Sequence, residues 1–185
     1  RRFIADPPAG FCDHPLLRDC GSLLLAREVG APNLRRAAAE AAALGVESHA
    51  LTPAEARARV PLLDPCDFAE ARWTPSDGVV DIEALLRAYL EGAVRAGAEH
   101  RCSAPVGAVH SHAGRIQGIR AGGDRYEAPL VVNAAGAWAG EIGVLAGVGS
   151  RTLAPRRRHM YRARVDVDID PSWPFVWHDD IDVYF

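Results

Sequence analysis

The sequence predicts a mixed α/β fold, and three observations carry that reading. Residues 82–96 have the periodicity of an amphipathic helix. Three short strand-like runs over 106–128 are separated by turn signals. A small apolar run, Leu130–Val132, then enters the small-residue turn Ala134, Ala135, Gly136 and a helix through Trp138, Ile142 and Leu145. Helices therefore alternate with strands, and an antiparallel meander is inserted between them.

The elements follow in order. Residues 1–20 are rich in proline and charge and read as a helix end followed by an irregular segment. Ser22–Glu28 reads as a buried strand. Asn33 is placed to cap a helix over 34–44, with Gly45 just past its end. Thr52-Pro53-Ala54-Glu55 has capping-box spacing with proline at the first helical position, so a short helix over 53–59 is expected. Residues 61–80 read as loop, punctuated by Pro61, Pro65, Pro75 and Gly78.

Asp81 caps the helix at 82–96, Gly97 ends it, and Ile82, Leu85, Leu86, Tyr89, Leu90, Ala93 and Val94 form its apolar stripe. Strands are expected over 106–112, 115–120 and 125–128, and another at 130–132. A helix over 137–146, a polar linker over 147–151 and strands over 159–167 and 181–185 complete the chain.

Composition narrows the class without identifying it. Apolar residues make up 49% of the 185 residues and charged ones 24%, an ordinary globular balance. A net charge of −3 provides no field to hold nucleic acid. No run of 18 uncharged apolar residues suggests a spanning helix. Cys12, Cys20, Cys66 and Cys102 are scattered, and read as free thiols of a reducing cytoplasm. The chain starts without methionine and stops at Val183-Tyr184-Phe185 inside an expected strand, which reads as a piece of a longer protein.

Strand, small-residue turn and helix over 130–146 bring backbone close to a cofactor, or simply let a helix pack tightly on a strand. No G-x-G-x-x-G follows an early strand. Arg156-Arg157-Arg158-His159 is a solvated edge, or places a guanidinium to clamp a carboxylate through two parallel hydrogen bonds. His110 and His112 share a strand face but lack a third ligand nearby, so they read as a surface pair and no metal is expected. His178-Asp179-Asp180 with Asp182 reads as a solvated loop. Trp173, Phe175, Trp177, Tyr184 and Phe185 concentrate aromatic area, as core or as a pocket wall.

Four segments, in this order, carry a resemblance: PPAGFCDHPLL at 7–17, TPSDGVVDIEAL at 74–85, LVVNAAGAWAG at 130–140 and LAPRRRHM at 153–160. Together they resemble D-amino-acid dehydrogenases of the FAD-dependent D-amino-acid oxidase and dehydrogenase superfamily, particularly the branch that includes D-arginine dehydrogenase. The resemblance implies a partial FAD-binding domain with an antiparallel meander, interleaved with part of a substrate domain. Residues 71–150 would belong to the FAD domain, and 1–70 and 151–185 to the substrate domain.

It also implies roles. Val106 matches the meander position whose backbone meets the adenine of FAD. Ala134, Ala135 and Gly136 match the turn near the cofactor, with Trp138 beside it. Arg158 matches the arginine that holds the substrate carboxylate, and Tyr184 the tyrosine facing the same group. Phe175 and Trp177 match positions lining the side-chain pocket. Ser22 stands where arginine-preferring relatives carry an acidic residue, so a preference for arginine is not expected, and Trp177 is bulkier than the small aliphatic residue it matches, so the pocket is expected to favour smaller or apolar D-amino acids.

The implied activity is oxidation of the Cα–N bond of a D-amino acid, with oxygen or a quinone as final electron acceptor. A glycine- or sarcosine-type secondary-amine oxidase is the alternative within the class. The alternative outside it is a non-catalytic piece without bound flavin.

Overall fold

The computed structural model describes residues 1–148 and 153–185, which form two compact units: Arg1–Ala98 with Val165–Phe185, and Glu99–Arg164. The mixed α/β class is observed.

In the first unit, a short helix α1 (Arg2–Ala5) precedes β1 (Leu17–Arg18) and β2 (Ser22–Ala26). Helix α2 (Ala31–Ala43) starts earlier than expected, capped by Gly30 rather than Asn33. Pro32 has a fixed φ suited to a first turn, and the Asn33 N–H already bonds the Gly30 carbonyl, so Asn33 lies inside the helix. Strand β3 (His49–Leu51) leads into α3 (Pro53–Arg59), a 3₁₀ turn at Pro61–Leu63, β4 (Glu70–Thr74), β5 (Val79–Val80) and α4 (Ile82–Arg95). The expected loop over 61–80 thus contains β4, which pairs with both β2 and β3.

The second unit holds the meander β6 (Val106–His112), β7 (Arg115–Ala121) and β8 (Asp124–Glu127), close to expectation, followed by a 3₁₀ turn at Gly136–Trp138 and α5 (Ala139–Leu145). Two of its expected strands do not form. Residues 130–132 and 159–167 have no strand partner among the described residues, and without one an extended run cannot satisfy its backbone in a ladder. Of the expected linker over 147–151, Gly149–Arg151 lie outside the described residues.

The chain then returns to the first unit as β9 (Phe175–His178), a 3₁₀ turn at Asp179–Ile181 and β10 (Val183–Tyr184). The five-stranded sheet runs β10-β9-β2-β4-β3; β9 is parallel to β2 and every other pair is antiparallel. Its core is Leu23 and Leu25 of β2, Ala71 of β4 and Val176 of β9, packed with Ala56, Val60, Leu63 and Phe68. Each of these is nearly or wholly removed from water, and burying such a side chain contributes about 1.5–3 kcal/mol for the larger ones.

The capping box at α3 is complete. The Thr52 hydroxyl accepts the Glu55 N–H at 3.3 Å, and the Glu55 carboxylate accepts the Thr52 N–H at 2.7 Å. The Thr52 backbone N–H, then its hydroxyl, hold the Glu55 carboxyl below its ordinary range. The box therefore stabilises the fold above the ordinary carboxylate range and is lost as pH falls through the lowered value. Thr52→Ala is expected to cost about 1 kcal/mol in a urea titration near neutral pH, and less in acid. An unchanged midpoint would show the cap to be dispensable.

Helix α4 forms as expected with Asp81 as cap, its carboxylate accepting the Ala84 N–H at 2.9 Å. Its apolar stripe is not a core, however. Only Ala84 and Ala88 are buried, while Ile82, Leu86, Tyr89 and Val94 are exposed. Tyr89 instead packs with Phe3 and Phe11.

Candidate functional site

Alternation along the sheet decides which side chains gather. Parallel pairing sets Ser22 beside Phe175 and Leu24 beside Trp177, and antiparallel pairing sets Trp177 beside Tyr184. These five side chains share one face, while Leu23, Leu25, Val176 and His178 point into the core on the other. The three rings touch: Phe175 and Trp177 each lie 5.8 Å from Tyr184, and 6.4 Å from each other edge-on. The sheet thus brings together Ser22, Phe175, Trp177 and Tyr184 in one half-buried aromatic wall. The Trp177 indole Nε1 is buried without a hydrogen-bond partner, a donor that is costly to leave unmade.

Ser22 is buried, and its hydroxyl donates to the Asp77 carboxylate at 2.6 Å. The Asp77 carbonyl also accepts the Gly21 N–H, so the turn after β4 is tied to the start of β2. Sequence reasoning did not find Asp77. Its signal was only a Pro-Ser-Asp-Gly turn, and its partner lies 55 residues away.

Arg158 belongs to the other unit, in an exposed run without regular secondary structure. The cofactor candidates also lie in that unit. Val106 opens β6 opposite Ala121, just before an irregularity in the ladder. Ala134, Ala135 and Gly136 form an open turn shaped by Asn133, whose amide donates to the Ala139 carbonyl at 2.8 Å and accepts the Ala135 N–H at 3.3 Å. Gly136 has φ +53°, and a Cβ there would meet nothing within 4 Å. Trp138 is 65% exposed. Small residues, a left-handed glycine and clear space beside it fit the approach of a flat cofactor.

The four cysteines are free thiols in the structure. Among the described residues no three His, Cys, Asp or Glu side chains gather as metal ligands, and no helix is long and apolar enough to cross a membrane. In the turn after β9, Asp179, Asp180 and Asp182 are exposed residues, as expected of a solvated loop, while His178 is buried and the Asp180 side chain turns inward to 12% exposure.

A family model described as DAO, FAD dependent oxidoreductase, matches residues 5–185. Mitochondrial sarcosine dehydrogenase of Homo sapiens is 30% identical over 147 residues, and that of Mus musculus 29%. Each match takes in 77% of this chain but only 16% of the relative's length. Among solved structures, L-proline dehydrogenase from P. horikoshii superposes with a TM-score of 0.74 at 24% identity, over 91% of this chain and 46% of that one. Glycine oxidase from Geobacillus kaustophilus superposes with a TM-score of 0.63 at 30% identity, over 71% and 35%.

Proposed function

The chain belongs to the DAO family of FAD-dependent oxidoreductases, and from that premise we propose that its parent protein oxidises the Cα–N bond of an amino acid, in the first instance a D-amino acid. The observation that carries this reading is the aromatic wall of Phe175, Trp177 and Tyr184 with Ser22, on one face of a sheet in a chain of this family.

In this reading the chain's residues bind and orient. Arg158 holds the substrate carboxylate through paired charged hydrogen bonds, and the Tyr184 hydroxyl supports the same group. Phe175 and Trp177 line the side-chain pocket, and the Asp77 carboxylate held by Ser22 adds one acceptor at its edge. Fixing both ends of the substrate presents its α-hydrogen in one orientation. Val106, Ala134, Ala135, Gly136 and Trp138 are the residues that would hold FAD. When bound, FAD supplies the two-electron acceptor for the α-hydrogen. The imino acid released then hydrolyses to a keto acid and ammonia, and oxygen or a quinone takes the electrons. No side-chain base is assigned; a substrate amine that sheds its proton on binding suffices. The division into an FAD domain over 71–150 and substrate-domain parts over 1–70 and 151–185 is part of the same proposal.

The relatives support a second reading, a secondary amine or glycine as substrate, since sarcosine dehydrogenase and glycine oxidase are each 30% identical to this chain. Steady-state assays of the full-length protein separate the two. The panel is D- and L-amino acids, glycine, sarcosine and proline, with oxygen or a dye as acceptor. Turnover of D-amino acids well above their L-forms is expected. Turnover confined to glycine, sarcosine or proline would move the assignment to the second reading, and turnover of none would sink both.

A further inference from the structure

The hairpin that carries Trp177 and Tyr184 is tied down by buried His178 and the inward-turned Asp180, which the proposed chemistry does not use. β9 ends at His178, whose neighbour Trp177 faces the aromatic wall while His178 faces the core. The His178 Nε2 lies 3.0 Å from the Asp67 carbonyl. A carbonyl only accepts, so Nε2 carries the proton. The other ring nitrogen, Nδ1, is buried with no hydrogen-bond partner and lies 3.9 Å from the Asp180 carboxylate. The side chains of His178 and Asp180 are 7% and 12% exposed.

Asp180 is the middle residue of the turn between β9 and β10. Its carboxylate accepts the Arg27 backbone N–H at 2.6 Å, just past the end of β2. It sits so close to Gly30 that a Cβ there would overlap the carboxylate oxygens. The glycine that caps α2 is thus also the space in which Asp180 lies. Arg27 and Asp67, whose backbone groups bond this pair, have side chains that meet each other at 3.2 Å. On the β10 side His178 is paired with apolar Val183.

Two attachments therefore converge on one turn: Asp180 to the Arg27 amide and His178 to the Asp67 carbonyl. Past this turn β10 pairs with β9, and Phe185 extends the pairing through two bonds with Val176, at 2.9 and 3.0 Å.

We propose that His178, Asp180 and Gly30 form a positioning lock that fixes the β9–β10 hairpin and so sets Trp177 and Tyr184 in the substrate wall. The inference rests on the amino-acid reading of that wall. Tyr184 touches the substrate and the lock residues do not, so they act through it.

The test uses the full-length protein. Asp180→Ala removes both the Arg27 attachment and the imidazole's neighbour, while Asp180→Asn keeps an acceptor for Arg27 and guards against simple misfolding. Asp180→Ala is expected to raise KM for the amino acid about 10-fold with kcat within about 3-fold, as for loss of one charged contact. Asp180→Asn should fall between it and the wild type. In a Tyr184→Phe background the Asp180→Ala effect on KM should largely vanish, because the two act through one contact. Additive effects, or an unchanged KM, would overturn the positioning role. Hydrogen exchange supplies a readout independent of substrate: amides of 175–185 should exchange faster in Asp180→Ala, with β2 and β4 unchanged. Protection retained there would overturn the lock whatever the enzyme oxidises. Wild-type protein inactive on every amino acid, with the exchange change still present, would instead overturn the reading of the wall.

Discussion

Replacing Arg158 by alanine is expected to raise KM for the amino-acid substrate by about 10- to 100-fold, the loss of hydrogen bonds to a charged group worth about 1.5–3 kcal/mol. The effect should fall mainly on KM, because the carboxylate is held equally in the bound and reacting states. Lysine at the same place keeps the charge but loses the planar fork, so Arg158→Lys should lie between. Arg157 is the natural comparison. Arg157 is exposed in the same irregular run, and the resemblance gives it no role. Arg157→Ala should change KM less than about 2-fold, within the small effects of surface substitutions. The visible spectrum of each variant checks flavin loading, so that a lost cofactor is not mistaken for a lost carboxylate contact. A wild-type KM in Arg158→Ala would remove this residue from the site.

What the sequence disclosed and what it hid follow from the range of the interactions involved. The α3 capping box and the α4 cap close within three residues, and both were readable in advance. The meander was readable too, because its turns are short and its strands pair with their sequence neighbours. β4 was not. Glu-Ala-Arg-Trp-Thr alternates polar with apolar, but over only two apolar residues between prolines, and its burial comes from lying between β2 and β3. The opposite error occurred at 130–132 and 159–167, where strand-like composition has no partner strand among the described residues. Composition says that a segment could pair; only another segment makes it do so.

The candidate site divides in the same way. The aromatic residues near the end of the chain were visible as a concentration, but their common face with Ser22 depends on a parallel pairing across about 150 residues of sequence. Asp180 had looked like one of several solvated acids. It turns inward because the Arg27 amide, 153 residues earlier, offers it a hydrogen bond and Gly30 leaves it room. No local spacing encodes either fact. The Arg158 assignment rests on the resemblance of LAPRRRHM, since that segment has no regular structure from which a role could be read.

Gly118→Ala is expected to destabilise the meander by about 2–4 kcal/mol, the range for an enforced backbone clash. Gly118 is buried in the middle of β7 with φ +153°, paired to His110 on one side and Glu127 on the other. A Cβ there would overlap the Tyr126 carbonyl oxygen and come within 3.0 Å of the Glu127 Cα. Both are backbone, so no side chain can swing aside; β8 must move, and the Gly118–Glu127 pairing goes with it. An interior strand glycine commonly marks such a close approach, and the ladder is irregular at the facing His110–Ser111 step. Gly107 on β6 is the control. A Cβ there meets nothing within 4 Å, and alanine should leave stability within about 0.5 kcal/mol. Urea midpoints of the two variants measure the difference directly. Val106 shares this ladder through Ala121, so the strained variant should also retain less flavin than the control if Val106 contacts the cofactor. Equal midpoints for Gly118→Ala and Gly107→Ala would mean that β8 is free to shift at little cost, and that the meander does not hold its register at this glycine.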